Sequence, residues 1–237
     1  MICRGLMKHF VSGIVCIVCM YSVTANADYP LGCGDPKYHE YIEQRFEYFQ
    51  QRNVRLLSDT LRDYKLSLAA GSNPYQVIAN LSRHLKYSAQ FESLELVSAK
   101  IERIYEHADK LSVEQQIAGD VFDRFSSETH AVGIARAWIA YRQADYELAF
   151  AELIQSIQVS DSSVLRSFGP DFEFIRHIYR DGHTQPVVEY INKTKQFWTG
   201  KRPDELRYVW LKMIQAKCEI QFDSIDALVV LQLGLKH

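Results

Sequence analysis

The sequence lacks most of the features that announce a chemistry. Its 11 Gly and 6 Pro in 237 residues exclude collagen-like and low-complexity classes. Its 27 Lys and Arg are nearly balanced by 29 Asp and Glu, so the basic excess typical of nucleic-acid binders is missing. No apolar run reaches the roughly 20 residues of a spanning helix. There is no HExxH, no P-loop, no GxGxxG and no nucleophile elbow. Sustained apolar/polar alternation is absent too, and Asp181-Gly182 lies between helix-period segments rather than between β-branched runs. What is present, a hydrophobic fraction of 47% with 12% aromatics, suffices for a folded core and argues against disorder.

The first residues read as an address. Arg4 and Lys8 precede an uncharged run from Phe10 to Val23, and Ala25-Asn26-Ala27 supplies a small-x-small cleavage pattern before Asp28. These are the three parts of a secretory signal. The expectation is a cleaved signal over 1–27 and a single helical domain over 28–237, exported, with no integral membrane segment after cleavage. An uncleaved anchor and a lipoprotein are the alternatives. No cysteine suits the lipoprotein, since Cys16 and Cys19 follow Val, and Asp28 and Pro30 separate Cys33 from the apolar run. Cleavage removes two basic and no acidic residues, taking the formal net charge from -2 to -4. It also discards Cys3, Cys16 and Cys19, leaving Cys33 and Cys218.

The remainder reads as helix after helix. Asp35-Pro36 and Asn73-Pro74 are N-cap and N1 pairs. Tyr38, Ile42, Phe46 and Phe49 form a first stripe; Asn53 is expected to interrupt it, with Leu57, Leu61, Tyr64 and Leu68 forming a second that ends at Gly71. Val77, Leu81 and Leu85, then Leu94, Val97, Ile101 and Ile104, continue the period. Ser112 with Gln115 has capping-box spacing and opens a helix through Phe125. Helices over 131–143 and 145–158 follow, then a loop at Ser160–Ser163. Three more helices and a tail helix near 225–235 complete an all-α chain of about ten helices. Short connections make consecutive helices antiparallel.

One segment carries a resemblance. Over 137–157, small Ala137 and Ala140 and bulky Tyr141 meet an Ala144-Asp145-Tyr146 turn, followed by Ala149, Leu153 and Ile157. This resembles a tetratricopeptide repeat (TPR), in which the turn reads Gly-Asp-Tyr with Ala four residues past the Asp; here Ala144 replaces the Gly and Ser156 stands where Ala is usual. Over 168–222, Phe168-Gly169-Pro170-Asp171, Gly182, Val187-Val188, Tyr190 and Phe197-Trp198 resemble the end module of bacterial helical-repeat proteins of unknown function. The resemblances imply helix pairs stacked as a TPR-like α-solenoid in a bacterial periplasmic protein. Such a scaffold binds a protein or peptide, without catalysis or cofactor. The first helix of a repeat lines the concave side, which nominates Arg136, Tyr141 and Arg142 for a partner; the alternative is solvated arginines and a core Tyr141.

Other constellations are weaker. Asp120 and Asp123, near Glu128 and His130, share a helix face and support a small all-α enzyme as an alternative; an envelope-associated structural domain is another. His177 and His183 have no metal-site spacing. Asn80 and Asn192 lie in glycosylation sequons that matter only in a eukaryotic host. The aromatic crowd Tyr38, Tyr41, Phe46, Tyr48 and Phe49 either is covered by the C-terminal tail or exposes a groove. For Cys33 and Cys218, an even count in an oxidising compartment invites a disulfide. An open solenoid would instead hold them well beyond the roughly 7 Å that a bond tolerates, and that separated arrangement is the expectation.

Overall fold

The computed structural model describes residues 32–113, 126–158 and 162–235. The expected signal, its three cysteines, Asp120, Asp123 and most of the helix expected after Ser112 lie outside the described residues. Among the described residues there are ten α-helices, one 3-10 turn and no strand. They are α1 (Pro36–Ala69), α2 (Pro74–Phe91), α3 (Leu94–Asp109), α4 (Ser126–Arg142), α5 (Tyr146–Gln158), α6 (Ser163–Phe168), α7 (Glu173–Arg180), α8 (Thr184–Lys193), the 3-10 turn Thr194–Gln196, α9 (Lys201–Gln215) and α10 (Asp226–Gln232). The protein is all-α, and no described helix is long and apolar enough to cross a membrane.

The caps act as their residue types dictate. Asp35 Oδ1 accepts from the Lys37 N–H at 2.8 Å, and Asn73 Oδ1 from the Tyr75 N–H at 2.9 Å. Helix ends use the paired carbonyl-to-amide closure that left-handed residues allow. At the end of α4 the Ala144 N–H donates to Tyr141 O and the Asp145 N–H to Ala140 O. Ala144 accordingly has φ 61°, which explains why glycine is usual at that place in the repeat it resembles.

α1 corrects the expected break. It runs unbroken for 34 residues through Asn53. A mid-helix Asn usually competes for backbone groups, but this side chain is engaged elsewhere. Its Nδ2 donates to Gln90 Oε1 on α2 at 3.2 Å, and its Oδ1 accepts from Arg52. Asn53, Thr60 and Ser67, at seven-residue spacing, are the buried positions in the second half of the helix, while Leu68 is exposed. The second stripe therefore turns inward through small polar residues rather than through the leucines. Of the loop expected at Ser160–Ser163, Ser160 and Asp161 lie outside the described residues, while Ser162 caps α6 through the Leu165 N–H at 3.2 Å and Ser163 is its first helical residue.

α2 packs against α1, α3 and α4; α4 pairs with α5; α5 leads through α8 to α9 and α10. The ends of this series meet. Cys33 and Cys218 form a disulfide with Cα atoms 4.9 Å apart, which overturns the separated arrangement. The cause is local. α9 closes with Lys217 at φ 58°, its N–H on Ile214 O and the Cys218 N–H on Met213 O. That turn sends the chain back towards α1. Tyr38 then donates to Glu219 O at 2.5 Å and Tyr179 to Cys218 O at 2.7 Å. Arg45 on α1 pairs with Asp223 at 2.9 Å.

Candidate functional site

The aromatic crowd on α1 divides between its two expected fates. Tyr38 is buried beneath the 218–220 segment, where loss of hydration pushes its phenol pKa upward. Phe46 and Phe49, further along, line a groove of about 340 Å³ between α1, the end of α2, α4 and α7. Phe91 and Trp138 complete an aromatic wall. Gln50, Asn53 and Gln90 place side-chain amides along the groove, and α7 contributes Glu173, Arg176, His177 and Arg180.

The charged rim is built on aromatic faces. The Arg176, Arg52 and Arg45 guanidinium carbons lie 4.3, 4.7 and 4.9 Å from the Phe49 ring centre. Arg180 lies 4.1 Å over Phe46. Such stacking is favourable and holds the planar guanidinium in place. Arg176 Nε also donates to Gln221 O at 2.6 Å, and Arg180 pairs with Glu43 at 2.5 Å. His177 stacks 4.8 Å from Trp138 and lies 3.5 Å from Asp181. Burial outweighs that carboxylate and lowers its pKa, favouring neutral imidazole.

A second, more open cleft of about 500 Å³ shares Phe49, Glu173 and Arg176 with the groove and reaches Lys86 and Asp171. Burial opposes charge on both of those groups, yet their contact at 2.8 Å keeps each ionised, with Lys86 raised and Asp171 lowered.

The residues nominated from the repeat resemblance diverge. Tyr141 is 8% exposed and donates its hydroxyl to Asp181 at 2.5 Å. Arg142 donates to Ala89 O on α2 at 3.0 Å, and Arg136 to the Tyr105 hydroxyl on α3 at 3.2 Å. Tyr141 is thus turned into the core, while Arg136 and Arg142 are exposed and reach α3 and α2. Trp138 and Ala149 are buried, as packing residues should be. His183 lies among Tyr141, Tyr146 and Phe150.

His130 is buried, with both ring nitrogens engaged by backbone. Nε2 accepts from the Asp171 N–H at 3.2 Å, so Nδ1 carries the proton and faces Ser156 O at 3.2 Å. Burial lowers its pKa. It joins α4, α5 and the Gly169–Phe172 turn. The end-module residues meet at the same place: Tyr190 donates to Asp171 O at 3.2 Å, and a Cβ on Gly169 would come within 2.7 Å of the Trp198 ring.

The sequence reading marked Phe46 and Phe49 but missed the four arginines and the amides. A signal was present: Arg45 and Arg52 are seven apart on the helix that bears both Phe residues, and Arg176 and Arg180 are four apart. What hid them is that the two pairs meet only through packing between distant helices. Comparison of the chain with protein-family models, curated proteins and solved structures finds no match.

Proposed function

We propose that the protein is an exported, TPR-like helical scaffold that binds a peptide or protein segment, without catalysis, in the groove between α1 and α7. The carrying observation is the lining: aromatic rings of Phe46, Phe49, Phe91 and Trp138 beside the exposed amide of Gln50. Rings accept apolar side chains, and a side-chain amide such as that of Gln50 matches the N–H and C=O groups of a bound backbone. Arginine and aromatic side chains also concentrate binding energy at interfaces. Export is supported by the start of the sequence and by the Cys33–Cys218 disulfide, since disulfides persist mainly in oxidising compartments.

The test is affinity capture from the native envelope with the oxidised protein, followed by mass spectrometry. It is run beside Phe46→Glu with Gln50→Glu, and beside Arg136→Ala with Arg142→Ala. The groove reading expects the first double variant to lose the partners and the second to keep them. The reverse pattern would move the binding surface to α4.

A further inference from the structure

We infer that the segment bound in the groove is acidic and continues into the adjoining cleft: a stretch of a partner protein whose Asp or Glu side chains are received by Arg176 and Arg180 in the groove and by Arg45 and Arg52 in the cleft. This rests on the peptide-binding reading above and adds the chemistry of the ligand.

The argument is one of charge balance. Each guanidinium offers five N–H groups and no acceptor. Asp223 serves Arg45, Glu43 serves Arg180, and Glu173 is shared by Arg176 at 2.9 Å and Arg52 at 3.8 Å. Three carboxylates thus face four guanidiniums. Asp171, the next acid in the cleft, is taken by Lys86.

Guanidiniums gathered around one ring repel each other. That excess calls for acceptor-rich negative charge. A carboxylate fits the guanidinium fork with two parallel bonds. The local excess of positive charge is also set against a chain whose formal net charge is -2, so it is a property of this site and not of the surface at large. The aromatic wall beside it suits an apolar side chain flanking the acids, which a peptide supplies and a free anion does not.

The experiment is selection of a random dodecapeptide display library on the immobilised, oxidised, full-length mature chain. It is repeated on Arg52→Gln with Arg180→Gln, whose side chains are partly exposed and whose folding is checked by circular dichroism and melting. The expected result is a retained pool enriched several-fold in Asp and Glu beside an apolar residue. A consensus peptide should bind at least tenfold more weakly to the double variant, and more weakly to the native protein as salt rises. A retained pool with no acidic enrichment overturns the inference and leaves the peptide-binding reading standing. A pool kept equally by the double variant places the acids elsewhere and also overturns it. No retained pool overturns both readings. Tighter binding of inorganic phosphate or an oligonucleotide than of the peptide assigns the arginines to a different anion.

Discussion

Asp226 is a carboxylate almost wholly withdrawn from water, and it organises the C-terminal turn. It accepts from Trp210 Nε1 at 2.9 Å and from the backbone N–H groups of Asp223 at 3.0 Å and Gln221 at 3.3 Å. Burial, reinforced by the nearby Asp223 charge, outweighs those bonds and raises its pKa from 3.8 to about 7. Between those values the folded protein holds a proton that the unfolded chain has released. Its contribution to stability is therefore full below about pH 4 and is lost as pH rises to about 7. His130 works in the opposite direction: its pKa is lowered, so its contribution is lost as pH falls through the ordinary histidine range near 6.5. The two are separated by difference. Denaturant unfolding of the native protein and of Asp226→Asn should show the native protein gaining on the variant as pH falls from about 7 to 4, by up to about 4 kcal/mol. A difference that is flat with pH would mean that Asp226 is ionised throughout.

At the scale of elements, the α4–α5 pair is set by how closely two backbones approach. A Cβ on Gly133 would lie 2.6 Å from Ser156 Cβ and 3.0 Å from its Cα. Ala137, Ala140 and Ala149 are buried along the same pair. Small residues permit the approach, and Trp138 and Tyr141 fill the space beyond it against Phe174, with ring centres 4.9 and 5.6 Å away. Two substitutions of one methyl group should then act with opposite sign. Gly133→Ala should destabilise by about 1–3 kcal/mol, because the backbone of α5 has to move. Ala144→Gly should stabilise by about 1 kcal/mol, because the left-handed φ of 61° strains any residue with a Cβ. Melting of the two variants beside the native protein reads both signs directly.

At the scale of the molecule, the Cys33–Cys218 bond joins the start of the described fold to its last quarter across a sequence separation of 185. In the chain-entropy view a loop of that length restricts the unfolded chain by about 5 kcal/mol. Cys33→Ser with Cys218→Ser should lower stability by up to that amount. Thiol counting on the denatured, unreduced native protein should find no free thiol from this pair. Because Arg45, Phe46 and Phe49 stand on the helix that the bond anchors, the double variant should also weaken peptide binding. Full affinity at temperatures where the variant stays folded would show that the arginine contacts hold the groove unaided.

Local chemistry made much of this fold legible. Asp35-Pro36 and Asn73-Pro74 open helices because a short acceptor side chain and a missing N–H suit a first turn wherever it occurs. Val97, Ile101 and Ile104 face inward because their spacing leaves one apolar side to bury. The same local rules mistook Asn53 for a break, since the partner that satisfies it, Gln90, lies 37 residues away. They also missed the arginines beside the groove, because Arg45 and Arg52 meet Arg176 and Glu173 only once distant helices have packed against each other. Helix period, caps and turns are decided within a few residues and were therefore written in the sequence. The disulfide, the divergence of Arg136, Tyr141 and Arg142, and the clustering of four guanidiniums around two phenylalanines depend on how whole helices stack. Only the tertiary structure could decide them.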